Sequence, residues 1–138
     1  MARTARATKQ AALASATTKD ISEAGLRAFC RIAELWGLSV DQELILLGGR
    51  PKSTFYNWKK NGGALPEDVL ERISCILGIY KALEILLPNP EAADAWIKKP
   101  NTALTFGGLS ALYRMLWGKV IDLYVVRQYL DAQRGGWD

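Results

Sequence analysis

The stretch Ser39-Val40-Asp41-Gln42-Glu43-Leu44-Ile45-Leu46-Leu47-Gly48-Gly49-Arg50-Pro51-Lys52-Ser53-Thr54-Phe55-Tyr56-Asn57-Trp58-Lys59-Lys60-Asn61 reads as helix, turn, helix. Ser39 and Gln42 have the spacing of a capping box, in which the serine hydroxyl and the glutamine side chain each satisfy an orphan backbone N–H of the first turn. Leu38 precedes the box, and Leu44, Ile45 and Leu47 follow it as an apolar face. Gly48-Gly49-Arg50-Pro51 breaks the helix, because glycine ends helices and a proline disfavours helix in the residue before it. Ser53 is placed to cap a second, short helix, Thr54–Lys60, that stops at Asn61-Gly62-Gly63.

In that short helix Phe55 and Trp58 are three residues apart and form an inner face. Thr54, Tyr56, Asn57, Lys59 and Lys60 are left for the outer faces, with Ser53 at the start. A second helix behind a glycine turn is the element that enters the major groove of DNA. Asn57 has the chemistry for a bidentate pair with adenine, worth about 1–3 kcal/mol of discrimination. Arg50, Lys52, Lys59 and Lys60 suit phosphates, which set register without reading sequence. The candidate DNA-binding set is therefore Arg50, Lys52, Ser53, Thr54, Tyr56, Asn57, Lys59 and Lys60. The same pattern also fits a helical hairpin whose polar residues face water. The turn departs from the usual form, since Arg50-Pro51 stands where an apolar residue normally follows the glycine.

Outward from this segment nearly everything reads as helix. Upstream, Leu26, Phe29, Cys30, Ile32, Ala33 and Trp36 recur at helical spacing over Ile21–Trp36, and Gly37 closes that helix. Downstream, Pro66 suits the first turn of a long helix with the stripe Val69, Leu70, Ile73, Ile76, Leu77, Tyr80, Leu83 and Leu87. Gly78 weakens its middle and allows a kink. Pro88-Asn89-Pro90 ends it and marks a boundary between two modules. A short helix Glu91–Lys98 follows, then a loop with Phe106-Gly107-Gly108, a helix Ala111–Trp117 capped by Ser110, and a last helix Ile121–Gln133. Paired β-branched residues at Val120-Ile121 and Val125-Val126 also suit a strand, but Leu123, Val126 and Leu130 follow the helical period better. Trp36, Trp58, Trp96 and Trp117 fall in these patterns and are expected in the core or in helix packing.

Composition narrows the function. The 138 residues are 49% hydrophobic and 23% charged, enough for one core without metal or disulfide. There is no histidine, which excludes Ser-His-Asp and Cys-His nucleophile systems and zinc fingers with histidine ligands. No carboxylate pair or phosphate-binding glycine loop replaces it, so the chain reads as a binding protein and not an enzyme, with no cofactor and no metal. Cys30 and Cys75 are expected to be thiols. The net charge of +4 favours a polyanionic partner. Residues 1–19, with Arg3, Arg6, Lys9 and Lys19 and no acid, read as a flexible basic arm without a secretory apolar run. No apolar run approaches the ~18 residues of a membrane span, so no membrane partner and a cytoplasmic location are expected.

The Gly49–Lys60 stretch resembles the Xre-type helix-turn-helix of bacterial antitoxins. Trp96-Ile97, Pro100-Asn101, Ala103-Leu104, Gly107-Gly108-Leu109, Met115-Leu116 with Gly118, and Tyr129-Leu130-Asp131 ahead of Gly135-Gly136-Trp137 are similar to the Xre/MbcA/ParS toxin-binding domain. The resemblance spans about residues 26–138. It implies an all-α fold: an N-terminal helix-turn-helix bundle (20–88, after the arm at 1–19) packed with a small C-terminal helical toxin-binding domain (89–138). It further implies a type II antitoxin whose partner is a cognate RES-domain toxin, which consumes NAD or transfers ADP-ribose. The antitoxin obstructs the toxin's active site, binds operator DNA to repress its own operon, and forms homodimers and larger hetero-oligomers with the toxin. Carried onto this chain, the toxin contacts fall on the last helix and tail: Arg127, Tyr129, Asp131, Arg134, Gly135, Gly136 and Trp137. From the residues alone, a stand-alone transcriptional regulator whose C-terminal module dimerises or senses a ligand stays open as an alternative.

Overall fold

The computed structural model describes the backbone of residues 2–135 and the side chains of residues 17–135. These residues form seven α-helices: α1 Ala2–Leu35, α2 Val40–Leu46, α3 Lys52–Asn61, α4 Glu67–Leu86, α5 Pro90–Trp96, α6 Ala111–Met115 and α7 Val120–Gln133. Among the described residues the one β-type pairing is an isolated antiparallel bridge between Pro100 and Ser110, which closes the loop between α5 and α6.

The helix ends follow local chemistry. At α2 both halves of the capping box form: Ser39 Oγ accepts from the Gln42 N–H at 3.1 Å, and Gln42 Oε1 accepts from the Ser39 N–H at 2.9 Å. At the end of α1 the Leu38 N–H donates to the Ala33 carbonyl and the Gly37 N–H to that of Glu34, with Gly37 at φ 65°. That is a Schellman closure, which a residue without Cβ adopts at no steric cost. Asn89 caps α5 by accepting from the Ala92 N–H, and Ser110 caps α6 by accepting from that of Tyr113.

Several expectations are corrected. The stretch read as a flexible arm at 1–19 is helical from Ala2 and continuous with the helix that ends at Leu35. It is rich in alanine, the best helix former, and holds no glycine or proline before Gly25. Ser53 does not cap α3: the helix starts at Lys52, with Pro51 at the cap position and no side-chain cap bond. Helix α5 ends at Trp96, two residues short of the expected Lys98. Helix α4 runs uninterrupted through Gly78. Trp117 is 59% exposed and belongs to no core.

The core is one connected cluster. Phe29, Ile32 and Trp36 of α1, Leu46 and Phe55 of α2 and α3, and Ile73, Ile76, Ile79 and Leu83 of α4 are joined to Ile97, Met115, Leu123, Val126 and Leu130. Helix α4 lies at the centre, packing most extensively on α7 and next on α1. Its buried residues, Val69, Ile73, Cys75, Ile76, Ile79, Ala82 and Leu83, wrap more than one face for that reason. The chain break at Pro88-Asn89-Pro90 thus separates helices, while the core runs across it. Among the described residues, no helix is long and apolar enough to cross a membrane.

Candidate functional site

The turn between α2 and α3 is built by two glycines with positive φ, Gly48 at 97° and Gly49 at 80°. The Gly49 N–H donates to the Leu44 carbonyl at 2.8 Å. From α4, Arg72 Nη1 donates to the Leu46 carbonyl at 3.4 Å and its guanidinium lies where a Cβ on Gly48 would come within 3.2 Å. Arg50, expected on a phosphate, pairs instead with Asp68 in the first turn of α4, and its Nε donates to the Leu47 carbonyl at 3.4 Å. Arg50 therefore ties the rebuilt turn to α4. Lys52 Nζ lies 3.6 Å from Asp41 Oδ1, an exposed pair of little energetic weight.

Helix α3 presents the rest of the candidate set outward. Phe55 is buried and Trp58 packs half-buried against the core, as their spacing implies. Ser53, Tyr56, Asn57, Lys59 and Lys60 are exposed, and Thr54 is half-buried. Asn57 Oδ1 accepts from Asn61 Nδ2 at 2.5 Å, which orients the amide, and among the described residues its own N–H pair has no partner. Lys59 Nζ lies 5.2 Å from the Phe55 ring centroid and 5.9 Å from that of Tyr56. Beneath this surface Glu43 is buried on α2. Burial pushes its carboxyl above the ordinary 4.5, and the nearby Lys59 ammonium partly offsets that.

Glu43 carries a pH prediction. Between 4.5 and its higher folded value, the folded chain holds a proton that the unfolded chain has lost. The group's contribution to stability is therefore most favourable at acid pH and falls as pH rises through the folded value. Glu43→Gln should thus be more stable than wild type at about pH 7, with the gap closing toward about pH 4. Urea midpoints of both proteins across that range check this, and a pH-independent gap would contradict it.

In the C-terminal part an aromatic trio fixes the last helix. Tyr129 stacks on Trp96, with centroids 6.2 Å apart, and meets the edge of Phe106 at 5.0 Å. Tyr129, expected to touch a partner, is half-buried in this packing. Arg127 lies over Gly78 of α4, where a Cβ would come within 2.6 Å of its guanidinium. The mid-helix glycine that suggested a kink is instead a slot for this side chain. Arg127, Asp131 and Arg134 form a charged row along α7, at 3.9 and 3.8 Å. Gly135 is exposed, and the expected contacts Gly136 and Trp137 lie outside the described residues.

A second surface here was missed from sequence. Tyr113, Trp117 and Ile121 are each more than half exposed. The Tyr113 and Trp117 rings meet edge-on at 6.4 Å, and the Arg114 guanidinium lies 4.4 Å from the Trp117 centroid. Arg114 Nε donates to Asp122 Oδ1 at 2.8 Å, and the Lys119 N–H donates to the other carboxylate oxygen at 3.1 Å. Asp122 itself is buried. Ile45 of α2 approaches Gly118 and extends the apolar face. The signal was present: Ala111, Leu112 and Met115 form the inner face of α6, so Tyr113 falls on its outer side. Trp117, four residues on, follows it in the turn past Met115, where the helix ends two residues short of the expected Trp117.

Comparison with known proteins places this half of the chain. Residues 82–136 match the family model for the antitoxin Xre/MbcA/ParS C-terminal toxin-binding domain. The uncharacterized protein y4oB of Sinorhizobium fredii (strain NBRC 101917 / NGR234) is 58% identical over 113 residues, covering 82% of this chain and 86% of that protein. The chain belongs to the y4oB family. The matched segment begins inside α4 and takes in α5, α6 and α7, and so holds the aromatic trio, the charged row and the exposed Tyr113–Trp117–Ile121 face. The matched segment therefore shares its core with the N-terminal helices through α4.

Proposed function

We propose that this chain is a type II antitoxin that binds a cognate RES-domain toxin, NAD-consuming or ADP-ribosylating, and obstructs its active site. The match of residues 82–136 to a toxin-binding domain carries the reading. In the same reading α3 binds operator DNA and represses the operon, the protein acts as a homodimer and in larger complexes with toxin, and it works in the cytoplasm. Support for the DNA half comes from the exposed Tyr56, Asn57, Lys59 and Lys60 on a short helix behind a glycine turn. The toxin face would combine the charged row of Arg127, Asp131 and Arg134 with Tyr113, Trp117 and Ile121, since exposed aromatics next to an arginine are typical interface anchors.

The test is a search for a RES-domain gene beside the chain's own, followed by co-expression with the toxin it encodes. The wild-type chain should restore growth and co-purify with the toxin. Trp117→Ser should weaken the complex by about 2 kcal/mol, roughly thirty-fold in Kd, without lowering thermal stability. A toxin that neither co-purifies nor loses activity sinks the reading. Asn57→Ala should relax base preference in mobility shifts while toxin inhibition is kept.

A further inference from the structure

Arg50, expected to meet phosphate at the turn, is engaged with Asp68, while Lys52 has only a screened, exposed pair with Asp41. On the other flank of α3 the charge is available. A groove of about 560 Å³ separates α3 from the C-terminal half of α1. Arg27 and Arg31 stand on its α1 wall, one turn apart, and Lys59 and Lys60 on its α3 wall. All four are exposed.

Two acids share the groove, and both are occupied. Glu23 Oε1 accepts from the Gly63 N–H at 3.2 Å, which closes one end. Glu34 lies 3.7 Å from Arg31 in an exposed pair that water screens. Among the described residues Arg27 and Lys60 make no ion pair, and Lys59 rests over aromatic rings with the Glu43 carboxyl nearby. Four cations against two acids leave the groove net positive.

A helix of ~10–12 Å diameter fills a major groove of about 12 Å, so the bordering phosphates run beside whatever flanks that helix. With α3 in the groove, one border passes the engaged turn and the other passes the α1 wall. We infer that the groove between α1 and α3 receives a DNA phosphate backbone, with Arg27 and Arg31 contacting phosphates that Lys59 and Lys60 meet from the opposite wall. The inference rests on the reading that α3 enters the major groove. It moves the anchoring contacts from the turn, where the sequence pattern put them, to the first helix. Such contacts are independent of base sequence and depend on salt, because each neutralised phosphate releases counterions.

The test measures affinity of the full chain for a duplex from immediately upstream of its own gene, and for an unrelated duplex, across a salt series. Two phosphate contacts steepen the dependence of log affinity on log salt by about 1.8, or about twelve-fold between about 50 and about 200 mM. Arg27→Gln/Arg31→Gln should lose that increment on both duplexes, and Arg27→Lys/Arg31→Lys should restore most of it. Asn57→Ala should lose affinity for the upstream duplex with the wild-type slope. An unchanged slope in the double glutamine variant overturns the inference and leaves the DNA reading standing; if that variant instead loses toxin binding, the groove belongs to an acidic protein surface. Failure of the wild type to bind either duplex overturns the DNA reading and the inference together.

Discussion

Arg114→Ala is expected to destabilise the chain by about 2–4 kcal/mol, because it strands a buried carboxylate. Asp122 is 3% exposed, and its partners are the Arg114 Nε at 2.8 Å and the Lys119 N–H at 3.1 Å. Alanine leaves one backbone donor to face a full negative charge in the seam between α6 and α7. The side chain of Arg114 is itself 23% exposed, so entering water recovers part of the loss and the figure lies below that of a fully buried pair. Asp122→Asn should cost less, since a neutral amide needs no counter-charge and still accepts from the Lys119 N–H. The double variant Arg114→Met/Asp122→Leu should be more stable than Arg114→Met alone, because it removes both charges. Urea unfolding with an unchanged m-value is the measurement. A loss below about 1 kcal/mol would mean the pair behaves as a solvated surface bridge.

Leu123→Ala tests whether the C-terminal helices α5–α7 and the N-terminal helices α1–α3 stand or fall together. Leu123 is fully buried on α7, where that helix packs on α4. Truncation should cost about 3–4 kcal/mol, combining lost transfer energy with a cavity that the neighbouring α4 and α6 fill only partly. Since α4 also carries the packing of α1, the loss should spread across the whole chain. Amide exchange in α1 and in α7 should accelerate by the same free energy, and unfolding should stay a single transition. Retained protection in α1 with lost protection in α7 would show two independently stable units, split where Pro88-Asn89-Pro90 interrupts the helices.

Much of the architecture was legible in the residues. The Ser39–Gln42 box, the Gly37 closure, the Ser110 cap and the Phe55–Trp58 inner face all appear where their spacing put them. Local features mislead where a distant or neighbouring residue decides the outcome. A basic stretch without acid looked like an arm, although its alanines favour helix. Trp117 looked like core because it follows an apolar helix, although its position opposite Leu112 and Met115 sets it outside. Gly78 looked like a weak point, although the space it leaves is filled by Arg127 from α7.

The sequence by itself determined the all-helical class, most helix ends and the outward face of α3. Those features rest on hydrogen bonds and side-chain rows spanning three or four residues, which the local order of residues dictates. Only the tertiary structure decided that Arg50 serves the turn, that Arg27 and Arg31 share a groove with Lys59 and Lys60, and that one core spans both halves. Each of these joins residues distant along the chain, such as Arg50 and Asp68 or Gly78 and Arg127. Such pairings exist only once α4 has packed between α1 and α7, because electrostatics and packing act on distance in space and not on position in the chain.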